Sequence, residues 1–298
     1  MHVRVFSRLL LAAVPYAAAP LRAQAPGTEI YLAPLARDGG ALRVGTPAKV
    51  TNRPGYDNQP AFSPDGRRLY YTAGLEGQTE IFRLDLTGDR PSAPVRITTT
   101  PESEYSPTVM AGGGRLSVVR VERDSTQRLW SFTLAGTAEG PIFEAIKPVG
   151  YHAWAGPEIA YLFVLGTPSS LQRADRRTGR GEVVAHNIGR TIVPSRNGAA
   201  ITFLARDSAG GTITEIDLAS GTHRIVAPAL EGGSEFFAWT PAGELLMARG
   251  NRLFLRARSD SAWRELAAFA EPGLQRISRL AVSPAGDRVA LVGEEPRP

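Results

Sequence analysis

The sequence predicts an all-β protein, a six-bladed β-propeller of four-stranded antiparallel blades whose last blade is closed by N-terminal strands. Three observations predict it: a repeat of about 44 residues, β-rich apolar runs in every copy, and two chain ends that each hold only part of a copy.

The repeat is clearest at Asn58 to Asp85, NQPAFSPDGRRLYYTAGLEGQTEIFRLD. Its centre, Ser63-Pro64-Asp65-Gly66, puts Pro at the second and Gly at the fourth position of a type I turn between two apolar runs. Comparable turns centre on Gly113, Gly156, Gly198, Gly243 and Gly286, and Pro64 recurs as Pro241 and Pro284. The intervals are 47, 43, 42, 45 and 43 residues. A period in the forties with several short strands per copy indicates propeller blades rather than paired helices.

Each copy has room for four strands. In the first, Pro60 to Ser63 enters the turn, Arg68 to Ala73 returns, Thr79 to Asp85 follows a glycine loop, and Val95 to Thr98 comes last. The β-branched and aromatic content of RLYYTA and EIFRLDL favours strand over helix. Trp154 and Trp239 fall at the position of Phe62, which assigns them to the core between blades. RELAAFA at Arg264 to Ala270 is the one run with an ambiguous period.

At the C-terminal end only Arg288 to Val292 follows the last turn, two strands short of a blade. At the other end Thr28-Glu29-Ile30-Tyr31 matches Thr79-Glu80-Ile81-Phe82, and AKVTNRPG matches VRITTTPE. Thr28 to Leu35 and Lys49 to Thr51 are therefore expected to supply the missing third and fourth strands beside Arg288 to Val292, so that the ring closes and leaves no open sheet edge there.

Residues 1–25 read as a secretory signal. His2, Arg4 and Arg8 precede an apolar stretch from Leu9 to Ala19, with small residues at Ala23 and Ala25 as alternative cleavage positions. Residues 26–298 are expected to be a single propeller domain, periplasmic or secreted and monomeric. Removing Arg4, Arg8 and Arg22 takes the formal charge from +5 to +2, which provides no electrostatic footprint for nucleic acid or anionic lipid. No later apolar run reaches the length of a membrane span. The chain has no cysteine, and its four histidines have no ligand-pair spacing, so thiol chemistry is excluded and a His-built metal site is not indicated. No G-x-S-x-G elbow is present.

The series NQPAFSPDGRRLYYTAGLEGQTEIFRLDLTGDR followed by VRITTTPESEYSPTV resembles the repeat of the TolB-type six-bladed β-propellers, soluble periplasmic proteins of bacteria. The resemblance covers the propeller repeats and not the α/β domain that TolB carries ahead of them. It implies a binding scaffold that offers the mouth of its ring to a protein or peptide partner in the cell envelope, without a cofactor.

In such a ring the segments leading into each innermost strand border one mouth of the channel. They contribute the candidate binding residues Asp57, Glu104, Tyr105, His152, Arg190, Glu235 and Arg276, with Tyr56, Tyr151 and Phe236 as further aromatic anchors. Any one of these charges, taken singly, also reads as a solvated loop residue. The alternative function is a calcium-assisted hydrolase of the propeller lactonase or esterase kind, with Asp57, Glu104 and Glu235 as oxygen ligands. Arg190 and Arg276 on the same rim oppose a cation. A sensor module is a third reading.

Overall fold

Six antiparallel sheets stand around one axis, each packed face to face on its two neighbours. The computed structural model describes residues 27–294 apart from 89, 196–197 and 208–209, so the leader and both cleavage positions lie outside the described residues. The innermost strands are Asp57–Phe62, Ser103–Val109, Val149–Trp154, Ile188–Pro194, Phe237–Trp239 and Ile277–Val282. From each, the sheet meanders outward through hairpins.

The six turn glycines found in the sequence all have positive φ, between 66° and 97°. Glycine meets no Cβ penalty there. In five of the six turns the glycine N–H closes the turn by donating to the carbonyl three residues back, as Gly66 does to Ser63 at 2.8 Å. The copies at Gly156 and Gly198, least similar in sequence, form sheets of the same order as the others. The ambiguous run is strand, Arg264–Ala268, because its place is the outer edge of the fifth blade.

The sixth blade closes as expected. Strand Thr28–Asp38 lies against Arg288–Glu294 with Ile30 opposite Val292, Tyr31 opposite Leu291 and Leu32 opposite Ala290. The fourth-strand place is shared: Ala48–Lys49 pairs with Tyr31 and Leu32, while Ala41–Val44 forms a hairpin with Leu35 to Asp38. That hairpin is not foreseen by comparison with the first copy, which has no counterpart of Gly39-Gly40. The fourth strand of the first blade is also shorter than expected, Val95–Arg96, because the Thr98 side chain takes over the next backbone donor, the Ile81 N–H.

Burial explains the apolar runs. There is no single core; six clusters occupy the six junctions between neighbouring blades. Leu69, Tyr71 and Ala73 face the sixth blade, whereas Tyr70 between them faces the second. A strand with period 2 that is covered on both sides reads as continuous hydrophobicity.

The sequence match between the two chain ends corresponds to a buried polar device repeated in space. In the closing blade Thr51 Oγ1 donates to Glu29 Oε2 at 2.5 Å and accepts the Ile30 N–H at 2.8 Å, while Lys49 pairs with Glu29 at 3.0 Å. In the first blade Thr98 Oγ1 donates to Glu80 Oε2 at 2.6 Å and accepts the Ile81 N–H at 2.8 Å, while Arg96 pairs with Glu80 at 2.7 Å. Thr and Glu at these places satisfy a backbone donor where the fourth strand ends. Thr51→Val keeps the shape but leaves that donor and a buried carboxylate oxygen unpaired, so a loss of about 2 kcal/mol in urea unfolding is expected.

Candidate binding site in the central channel

The six innermost strands enclose a cavity of about 460 Å³. Its wall includes Gln59, Ser106, Tyr151, His152, Trp154, Arg190, Phe236, Trp239 and Arg279. Five of the innermost strands depart from regular pairing near the channel, with the register shifting between Asn58 and Ala61, Tyr105 and Thr108, Val149 and Tyr151, Ile188 and Ile192, and Ile277 and Arg279. At Gln59 and Ser106 the bulge takes a non-glycine residue to positive φ, 57° and 53°. Bulges re-aim the side chains beside them, and here they turn polar groups toward the axis.

Of the residues singled out in the sequence, His152, Arg190, Tyr151 and Phe236 line the cavity. Asp57, Glu104 and Tyr105 do not: the two carboxylates are buried, 1% and 0% exposed, and Tyr105 packs against the cluster between the second and third blades. Asp57 accepts from Arg53 Nη2 at 2.8 Å, and Glu104 accepts from Thr100 Oγ1 at 2.5 Å. Burial pushes the Glu104 carboxyl up to about 7; the hydrogen bond from Thr100 opposes this, the nearby Glu80 carboxylate adds to it and Arg120 works against it. Glu235 is held by Arg206 and lies 3.8 Å from Arg190. Two of the candidate rim charges, Glu235 and Arg190, are therefore neighbours. Arg276 is exposed and pairs with Glu294 at 3.4 Å, away from the cavity.

Gln59, Ser106 and Arg279 are wall residues that the sequence reading missed. A signal for them exists: each stands seven residues before its turn glycine, as do Thr191 and Phe236. Counting back from the glycine, rather than forward from the preceding loop, finds the channel face.

Arg279 is the centre of the aromatic group. Its guanidinium stacks 3.6 Å from the Phe236 ring centroid and 5.1 Å from that of Tyr151, and Nη2 donates to the Tyr151 hydroxyl at 3.2 Å. Tyr151 and Phe236 meet edge to face at 6.1 Å. Burial raises the Tyr56 phenol above its ordinary value; the charges of Arg279 and Arg190 lower it, and Tyr151 and Tyr105 interact with it as well. Arg279, Tyr151 and Phe236 thus form one stacked group.

His152 is held deeper. Its Nε2 lies 2.7 Å from Ser117 Oγ, which also accepts the Trp154 Nε1–H at 2.9 Å. Burial takes the imidazole down to about 3, so it is neutral at physiological pH. The same link between blades recurs where Trp239 Nε1 donates to Thr202 Oγ1 at 2.9 Å. Both tryptophans pack in the junctions, as their sequence positions imply, and show one edge to the channel.

No group of three or more His, Asp or Glu residues able to hold a metal ion exists among the described residues. Asp57, Glu104 and Glu235, the oxygen ligands of the calcium reading, are each engaged by Arg or Thr and none lines the cavity.

No family model matches the chain, and no curated protein matches it by sequence. Comparison of the fold does find relatives. A structure described as putative TolB from Agrobacterium tumefaciens superposes with a TM-score of 0.68 at 16% identity, covering 92% of this chain and 100% of that one. TolB from Acinetobacter baumannii superposes with a TM-score of 0.58 at 15% identity over 89% of this chain, which spans 64% of that protein. This chain has the TolB-type propeller fold. Oligogalacturonate lyase from Vibrio parahaemolyticus is also similar, at TM-score 0.50 and 11% identity over 79% of this chain and 88% of that one. Proteins with different printed descriptions share this ring, so the fold alone does not fix the chemistry. No helix among the described residues is long and apolar enough to cross a membrane.

Proposed function

We propose that this TolB-like propeller is an exported, non-enzymatic scaffold that binds a segment of a protein or peptide partner through the mouth of its channel. The observation that carries this reading is the aromatic lining of the 460 Å³ cavity, with Tyr151, Phe236, Trp154 and Trp239 in its wall. Rigid aromatic rings clustered at the centre of a concave site are the residue types that anchor protein contacts. The leader at residues 1–25 supports export and thus a partner in the cell envelope.

A photo-crosslinking amino acid at Tyr105 tests this in the native envelope. A discrete adduct with another exported protein is expected, and it should be lost in a Tyr151→Ala, Phe236→Ala double variant. The same amino acid at Val183, on the outer strand of the third blade, is expected to give no such adduct. Equal labelling from both positions, or from neither, counts against the channel mouth as the binding site.

A further inference from the structure

The channel wall carries two arginines, Arg190 and Arg279, and among its described residues no aspartate or glutamate. Arg190 shares its one nearby acid, Glu235, with Arg206, and does so at 3.8 Å. Arg279 forms no ion pair among the described residues; its guanidinium meets the faces of Phe236 and Tyr151 and the Tyr151 hydroxyl. Stacking holds the guanidinium in one plane and leaves most of its donors unused, and a guanidinium so fixed matches a carboxylate with two parallel hydrogen bonds.

Two other polar atoms of the wall are buried and have no hydrogen-bond partner among the described residues: Ser106 Oγ and His152 Nδ1. His152 is 8% exposed, and Ser106 occupies the strained bulge position. Buried polar atoms in native proteins are nearly always paired, so two orphans in one wall stand out, although others occur away from the channel, at Tyr71 and Thr79.

We propose that the channel recognises a carboxylate, carried by an acidic side chain of the bound peptide and gripped by Arg279 with Arg190 as the second cation. The aromatic faces take the apolar neighbours of that residue. This rests on the peptide-binding reading above and deepens it. Charge balance favours it independently, because two positive groups in a partly desolvated cavity with neutral His152 repel a basic peptide.

The test uses N-acetylated, C-amidated hexapeptide libraries built from uncharged residues around one fixed central residue: Glu, Gln or Lys. Binding to the mature chain is read by the fluorescence of Trp154 and Trp239 in the channel wall. The Glu library is expected to bind about tenfold or more tightly than the Gln library, with the Lys library weakest. Arg279→Gln should abolish the difference between Glu and Gln, and Arg190→Gln should reduce it. Arg279→Lys keeps the charge without the stacked plane and should retain a weaker preference, provided its melting temperature matches wild type. Equal binding of Glu and Gln libraries, still lost with Phe236→Ala, overturns the carboxylate proposal while the peptide site stands. Binding of none of the libraries overturns both. Binding of a galacturonate hexamer alone, sensitive to Arg279→Gln, overturns the peptide occupant in favour of an acidic sugar.

Discussion

Glu104→Gln is expected to melt several degrees above the wild-type protein at pH 8 and to match it near pH 4. Glu104 is fully buried, and its carboxyl is shifted from 4.5 up to about 7, first by burial and then by the Glu80 carboxylate. A carboxyl whose folded value is raised binds its proton more tightly in the folded chain than in the unfolded one. Its stabilising contribution is whole below pH 4.5 and is lost as pH rises through 7. The gap corresponds to about 3 kcal/mol at most. Gln keeps an oxygen for the Thr100 hydroxyl and never ionises, so the variant escapes the loss.

His152 works in the opposite direction. Its imidazole is depressed by burial from 6.5 to about 3, so the unfolded chain takes up a proton that the folded chain refuses, and stability falls as pH drops below 6.5. Between pH 4.5 and 6.5 the two groups oppose each other and the wild-type profile is expected to be nearly flat. Removing Glu104 exposes the His152 slope, so the melting temperature of Glu104→Gln should climb across that window. Superimposable profiles for variant and wild type would show that Glu104 ionises normally in the folded ring.

The second large effect concerns ring closure. Gly293 lies in the last described strand, with Glu29 on one side and Ile277 on the other. A methyl group there would sit 1.9 Å from the Gly273 carbonyl oxygen and 2.9 Å from Leu274 Cδ2. The oxygen is backbone, so relief requires the short 3-10 turn Pro272–Leu274 to move off the closing blade. Gly293→Ala is expected to cost about 3 kcal/mol, at the upper end for overpacking, and to lower the melting temperature by roughly 10 °C. Hydrogen exchange should quicken in Thr28–Asp38 and Arg288–Glu294 together, since each strand is the other's partner. Gly114→Ala, where a methyl meets nothing within 4 Å, is the control and should be neutral. If Gly293→Ala melts with the control, the closing blade is looser than its packing indicates.

Blade number and closure were legible because their signals are local. A turn glycine, a proline two residues before it and a Thr-Glu-Ile opening recur at fixed spacing, and each is demanded by the backbone conformation or cap at that point: Gly66 by its positive φ, Glu29 and Glu80 by the threonines that end the next strand. Ring closure followed from the same matches, since two partial copies at opposite ends complete one sheet. The Gly39-Gly40 hairpin was not legible from the repeat, because it belongs to one copy only.

The candidate site was legible in part. Tyr151, His152, Arg190 and Phe236 were found because they enter the innermost strands where the loop gave a usable register. The loops point to Arg276 rather than Arg279, and to Asp57 and Glu104 rather than Gln59 and Ser106, because bulges shift the count within five innermost strands. One extra residue in a strand reverses which side chains face the axis.

The sequence by itself determined six blades, their strand order and the pairing of Thr28 to Leu35 with Arg288 to Val292, since these depend on turns and alternation within about 44 residues. Folding of the whole ring was needed to show that Asp57 and Glu104 are buried off the channel while Arg279 stands against Tyr151 and Phe236 within it. The reason is physical: facing the axis is set jointly by the bulge in one blade and the packing of the neighbours, which no single repeat contains.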